Sequence, residues 1–327
     1  MTTLPFPVVT EHTPCAVCGA DRWRPYRPRM YAIGDVGFDL ARCHACGFVA
    51  VVPRPDAPSL LRMYDDPAYY SEGYTLGVET RGYFERQDEL LQVYDAEMAR
   101  LEQETGRPGA LFELGAAGGF LLEAARRRGW TVAGVEPSPV AARHARETLG
   151  LDVVDGTLDA TPLAPASIDV AVADNVLEHT TDPRGVLMRL GTLLRPGGHL
   201  VVIVPTYVNS PYFRALLALR RWLPARLLGP RLLRILKLDE DSDGGFPYHI
   251  SEFDRGTLLR LAHDAGYEVV AVEGSVPLPA HLFAPGATRL TDRLLRAVFR
   301  VLDALMRRRL APPARVRLLA RRPGGRR

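Results

Sequence analysis

The 327-residue chain is 47% hydrophobic, enough to bury a sizeable core, and its length argues for two domains, one large and one small. A formal net charge of +3 is not the strongly basic balance of a dedicated nucleic-acid binder, and the excess is local: between Gly286 and Arg327 thirteen arginines face only Asp292 and Asp303. No apolar run has the length to span a bilayer, and MTTLPFPVVTEHTPC has neither the basic start nor the long apolar stretch of a signal peptide, so a cytoplasmic protein is expected.

All four cysteines lie in the first 46 residues, as Cys15-Ala-Val-Cys18 and Cys43-His-Ala-Cys46, with 24 residues between the pairs and a glycine, Gly19 or Gly47, after each. Two residues between thiolates let both sulfurs of one tight turn reach a single tetrahedral ion, and the glycines let backbone amides approach the sulfurs. In a reducing compartment the pattern argues for metal over disulfides, while redox C-x-x-C motifs usually sit alone at a helix start. His44 reads as an exposed loop residue, and the alternation from Phe38 to Arg42 predicts a strand running into the second pair. The segment resembles a zinc ribbon, with Cys15, Cys18, Cys43 and Cys46 filling the shell of a structural Zn2+. Up to Asp56 six arginines meet five acidic residues, a near-neutral balance that counts against a nucleic-acid partner.

From Pro53 a proline-stiffened stretch carries Tyr64, Tyr69, Tyr70 and Tyr74, too many aromatics for a solvated tether. They either pack the first module onto the next domain or line an acceptor pocket at the junction. Helical spacing over Tyr83–Leu101 comes next, and then strands and helices alternate. Strands are predicted at Ala110–Leu114, Thr131–Val135, Leu151–Val154, Ile168–Ala173 and His199–Val204, with helices at Phe120–Arg128, Val140–Leu149 and Arg184–Leu194. Such alternation builds a doubly wound, mostly parallel α/β sheet whose ligands sit at the carboxyl ends of its strands. The leucine-rich segment after Pro205 carries seven basic residues from Arg214 to Lys237 and predicts a pair of amphipathic helices capping the site. The same basic face offers a peripheral membrane contact as the alternative. A helix capped by Asp254 and ending near Gly266, a strand at Tyr267–Gly274, a helix at Thr288–Arg309 and a strand at Arg315–Ala320 complete the sheet. The arginine-rich end is thus part fold and part solvated basic face.

Glu113-Leu-Gly115-Ala-Ala117-Gly-Gly119 lacks the dinucleotide glycine spacing and is similar instead to the first motif of class I methyltransferases that use S-adenosylmethionine. Four further motifs follow in that family's order: Glu136-Pro137 after the second strand, Asp155-Gly-Thr157-Leu158 after the third, Asp174-Asn175-Val-Leu-Glu178-His179 after the fourth, and Leu194-Arg-Pro-Gly-Gly before the fifth. The resemblance implies a seven-stranded Rossmann-like methyltransferase sheet. It also implies a cofactor held by Glu113, Gly115, Ala117 and Gly119 at its methionine end, by Glu136 beside Pro137 at the ribose, by Thr157 and Leu158 at the adenine, and lined by Asp174 and Asn175. Ala117 stands where glycine is commoner, and its methyl is tolerated if φ there is not positive. The domain plan is then a zinc ribbon over 1–52, a tyrosine-rich linker over 53–82, an S-adenosylmethionine-binding domain over 83–323 with a substrate-cap insertion at 206–247, and a basic tail at 324–327.

Methyl transfer from a sulfonium is an in-line displacement with a neutral leaving group. The protein must place the acceptor and, for a hydroxyl or an acidic carbon, take its proton. His179 and His249 are the candidate bases, with Glu252 orienting His249; helix-start hydrogen bonding and packing are their alternative roles. Four-cysteine ribbons ahead of this fold resemble enzymes of bacterial sugar and natural-product pathways, which implies a small-molecule substrate, a nucleotide sugar or glycoside, methylated at carbon or oxygen. Two alternatives stay open. One is ribosomal RNA methylation, favoured by the basic end and opposed by the neutral ribbon; the other is a non-catalytic scaffold. Oligomeric state is carried by surfaces and not by these motifs.

Overall fold

A computed structural model describes residues 7–33, 36–62, 64, 82–106, 108–220, 222, 247–275, 296–297, 300–301, 303–306, 308, 310–311 and 313–324. Tyr69, Tyr70, Tyr74, most of the second helix expected in the cap and much of the Thr288–Arg309 helix lie outside these residues. β1 (Thr10–Glu11) pairs antiparallel with β5 (Arg54–Pro55), and between them β2 (Trp23–Ile33), β3 (Val36–Cys43) and β4 (Val49–Val51) form an antiparallel meander. The short helix α1 (Ala57–Arg62) follows.

The body begins with α2 (Gln87–Thr105) and then alternates: β6 (Ala110–Leu114), α3 (Phe120–Arg127), β7 (Thr131–Glu136), α4 (Pro139–Arg143), β8 (Val153–Asp155), β9 (Ile168–Asp174), α5 (Pro183–Leu193) and β10 (Leu194–Pro205). After β10 come α6 (Pro211–Arg220), the two-residue β11 (Ser251–Glu252), α7 (Arg255–Asp264), β12 (Glu268–Ser275) and β13 (Arg315–Arg321). Local chemistry starts the helices where the sequence places them. Ser138 and Asp182 accept from amides three residues on, each followed by proline at the first helical position, and Asp254 forms a capping box with Thr257.

Seven strands form one sheet in the order β12-β13-β10-β9-β6-β7-β8, with only β13 running against its neighbours. The chain moves outward from β6 to β8 on one side and from β9 to β10 on the other. The crevice at the carboxyl ends of β6 and β9 is therefore the topological switch point, where open α/β sheets bind ligands. The inner strands are apolar on both faces because helices cover both. Phe112, Leu114, Val202 and Leu318 join one core layer; Leu111, Phe120, Val172 and Leu319 join the other.

Two elements depart from the periodicity. The helix expected over Val140–Leu149 is a short α-helix followed by a π turn at His144–Thr148, which lets the His144 ring reach the Gly118 carbonyl at 3.1 Å. The turn expected before the fifth strand is a bulge inside β10: the register passes from Leu194 opposite Ile168 directly to His199 opposite Val170, so six residues of β10 span three of β9. The amide of Gly197 is satisfied there by the Arg322 carbonyl at 2.9 Å.

The cysteine module is continuous with the body. β11 adds to its sheet, with Ser251 opposite Ala50 and Glu252 opposite Val49. Cys15, Val17, Cys43, Phe48 and Ala50 share a core with body residues, and Phe48 meets Phe253 at 5.3 Å between ring centroids. On its other side Met30, Phe38 and Leu40 pack with Val208 and Phe213; fully burying one such side chain contributes about 1.5–3 kcal/mol. Among the described residues no helix is long and apolar enough to cross a membrane.

Candidate active site

At the end of β6 the chain turns sharply through Gly115 at φ +72°, where a Cβ would sit 2.6 Å from Val176 Cγ2, so this loop lies directly against the turn after β9. Ala117 has φ +47°, contrary to the negative φ on which its tolerance rested. Left-handed backbone costs a residue with a Cβ about 1–2 kcal/mol. The position persists because its amide donates to Glu136 Oε2 at 2.8 Å, while Ser138 N donates to Oε1 at 2.9 Å. The Glu136 carboxylate, buried at the end of β7 beside Pro137, thus ties two turns together.

Glu113 lies beneath the loop, buried on β6, and its Oε2 accepts no hydrogen bond among the described residues. Burial pushes its pKa well above the carboxylate range, and Asp174 and Glu136 push it further. Gly119, at φ +84°, starts α3. Thr157 and Leu158 open a 3-10 turn after β8, Thr157 exposed and Leu158 buried. At the end of β9, Asn175 (φ +54°) donates through Nδ2 to Asp174 Oδ1 at 2.8 Å, and Arg315 Nη2 reaches both Asp174 oxygens at 3.0 and 3.3 Å. Motif reading left out Arg315; the available signal was a basic residue opening an apolar strand. It also left out Tyr83 and Phe84, whose rings lie within 3.0 Å of where a Gly118 Cβ would point.

An orphaned buried carboxylate oxygen, a glycine turn that leaves no room for a side chain, and three acidic groups at one crevice fit a cofactor that carries positive charge on an ammonium and a sulfonium.

The two candidate bases converge. His179 ends a 3-10 turn after β9 and His249 precedes β11, yet their rings meet edge-on at 4.9 Å. His179 Nδ1–H donates to the Tyr248 carbonyl at 2.6 Å, which leaves Nε2 as the basic nitrogen; that nitrogen is 3.9 Å from Glu178 Oε1. His249 Nδ1 is 3.9 Å from Glu252 Oε1. Side-chain exposure is 14% for His179 and 26% for His249, so both can meet a solute, whereas Glu178 is fully buried. Burial raises the Glu178 pKa well above the ordinary value; a backbone hydrogen bond opposes this, and the Asp174 and Glu252 carboxylates add to it. Glu178, His179 and His249 offer ligand atoms within 4.8 Å of one another, a spacing that either a shared proton or a small cation can bridge.

The four cysteine sulfurs also lie within 4.8 Å of one another, with Cys15–Cys46 and Cys18–Cys43 at 3.6 Å. Tetrahedral zinc–thiolate geometry, at about 2.3 Å per bond, requires sulfurs about 3.8 Å apart, so the donor set fits. Gly19 and Gly47, both at positive φ, turn the two pairs alike, and the amides of Ala20 and Phe48 donate to Cys18 and Cys46.

A family model described as a methyltransferase domain matches residues 84–272, more than half of the chain. The ubiquinone biosynthesis O-methyltransferase of Aeromonas salmonicida is 33% identical over 141 residues, 39% of this chain and 58% of that protein. An uncharacterized methyltransferase of Geobacillus thermodenitrificans is 29% identical over 149 residues, 44% of this chain and 67% of that one. The chain thus spans little more than half the length of the ubiquinone-pathway relative. Among solved structures, geranyl diphosphate C-methyltransferase from Streptomyces coelicolor is 16% identical with a TM-score of 0.48, covering 81% of this chain and 97% of that one.

Proposed function

The chain belongs to the methyltransferase-domain family, and we propose that it transfers a methyl group from S-adenosylmethionine to a small acceptor which, from the four-cysteine ribbon ahead of this fold, is a sugar nucleotide or glycoside. The observation that carries this reading is the crevice between β6 and β9, where the carboxylate-lined glycine loop stands against the turn that leads to the paired histidines. S-adenosylmethionine, when bound, supplies an electrophilic methyl and a neutral leaving group. Glu113 takes the ammonium end, with Gly115, Ala117 and Gly119 giving backbone room. Glu136 accepts the ribose hydroxyls, Thr157 and Leu158 flank the adenine, and Asp174 and Asn175 complete the wall.

On the acceptor side, His179 is the base-ready imidazole, since its Nδ1–H is committed to a carbonyl. His249, the more exposed of the pair, faces the incoming acceptor, with Glu252 behind it. The four cysteines hold a structural zinc, which leaves no open coordination position for chemistry. Likeness to ubiquinone-biosynthesis O-methyltransferases supports a second acceptor, a hydroxyl on a molecule of that pathway, which needs the same base.

Radiolabelled methyl from S-adenosylmethionine, incubated with host extract, is expected in the small aqueous solutes. Label in RNA or lipid would overturn the small-acceptor reading, and failure to bind the cofactor would revive a scaffold role. With the acceptor in hand, H179A or H249A is expected to lower turnover about 100-fold or more at unchanged cofactor affinity. Full turnover in both variants removes the histidines from the chemistry.

A further inference from the structure

One buried hydroxyl links the cysteine module to the histidine pair. Tyr31, buried on β2, donates its hydroxyl to Glu252 Oε1 at 3.2 Å, and that same oxygen lies 3.9 Å from His249 Nδ1. Glu252 is 1% exposed and sits on β11, the strand that the module's own sheet takes up. Val51 N donates to the Ile250 carbonyl at 3.0 Å, fixing the backbone next to His249. Asn209 closes the frame: its Nδ2 reaches the Glu252 carbonyl at 3.2 Å and the carbonyl of Gly47, the residue after Cys46, at 3.4 Å.

We propose that the cysteine module forms one wall of the acceptor site, with Tyr31 as its positioning residue: the Tyr31 hydroxyl holds the Glu252 carboxylate in place, and Glu252 orients His249. The proposal rests on the reading of His249 as an acceptor-side residue. A carboxylate this buried needs donors to stay charged. Tyr31 supplies one without surrendering its proton, because burial and then the neighbouring Glu252 hold the phenol well above its ordinary range. His249 also faces His179, edge-on at 4.9 Å, and Glu178, which in turn feels Asp174 and Arg315. Glu178 accepts no side-chain hydrogen bond among the described residues, whereas Glu252 accepts one from Tyr31. If Tyr31 only filled space beside Phe38 and Leu40, loss of its oxygen would leave His249 unchanged.

Histidine-labelled full-length chain, titrated by NMR from about pH 5 to pH 9, reads this directly once H249A assigns the signal. E252Q is expected to lower the His249 midpoint, because the charge that favours the imidazolium is gone. Y31F is expected to lower it in the same direction by about half a unit or more, since Glu252 with one donor fewer holds its charge less firmly. The double variant is expected to go no lower than E252Q alone. An unmoved midpoint in a Y31F protein that still folds and binds S-adenosylmethionine overturns the proposal, as does an additive double variant. If Y31F does not fold, the unmutated protein decides: a step in the Tyr31 ring-carbon signal at the His249 midpoint supports the link, and a flat trace overturns it. Full turnover in H249A would instead remove His249 from the chemistry while leaving this coupling intact, so the two failures are read apart.

Discussion

Glu113 carries a cost that the cofactor would relieve. In the unfolded chain its carboxyl titrates near 4.5; in the fold, burial first and then Asp174 and Glu136 raise that value. Stability from this group is therefore fully present below the unfolded pKa and is lost as the pH rises through the folded one. Glu113→Gln is expected to raise the urea midpoint of the cofactor-free protein at neutral pH, to flatten its decline toward alkaline pH, and to weaken S-adenosylmethionine binding about tenfold or more. Urea titrations at several pH values and calorimetry check this; a variant less stable than the parent at alkaline pH would contradict it. The position of Glu113 near the end of an apolar strand was legible in the sequence. The left-handed backbone of Ala117 was not, because its conformation is imposed by Val176 packing on one side of the loop and by the Glu136 carboxylate on the other.

Helix α2 is pinned to the far edge of the sheet by charge. Arg317 on β13 donates to Glu97 at 2.5 Å and to Glu104 at 2.7 and 3.1 Å, and Arg100 joins Glu104 at 2.9 Å to Glu273 of β12 at 2.6 Å. The Arg317 side chain is 8% exposed, so part of the arginine-rich end is interior and not a solvated basic face. Removing one partner of a buried pair costs about 3–5 kcal/mol. Glu97 and Glu104 keep 25% and 20% exposure, so water screens them once the partner is lost and Arg317→Met is expected to cost about 2 kcal/mol. Faster amide exchange along α2, with β6 and β7 unchanged, would accompany it; unaltered α2 exchange would show that apolar packing alone holds the helix. The periodicity of α2 was legible in its sequence, but its ionic partners were not, since Glu97 and Arg317 are 220 residues apart and meet only after the sheet closes.

Across the molecule, the four-cysteine cluster and the histidine pair share one structural unit. β11 belongs to the cysteine module's sheet, and Phe253 packs on Phe48. Chelation of the proposed zinc is expected to raise amide exchange at residues 47–51 and 249–253 together, while β6, β7 and S-adenosylmethionine binding stay as they were. A released metal quantified against four thiols, with exchange rising only in the module, would separate the module from the site. Loss of cofactor affinity on chelation would show instead that the metal supports the whole sheet.

By itself the sequence determined the alternating strands and helices, the two paired-cysteine turns and the ordered polar residues at the strand ends. Each of these is written in local spacing: an apolar period, a two-residue gap between thiols, a carboxylate closing an apolar run. Only the tertiary structure decided that His179 and His249 touch, that Arg315 holds Asp174, and that Tyr31 reaches Glu252 across 221 residues of chain. Those contacts join segments distant in sequence, and closure of the sheet together with burial of a common core brings them within reach, which no local pattern records.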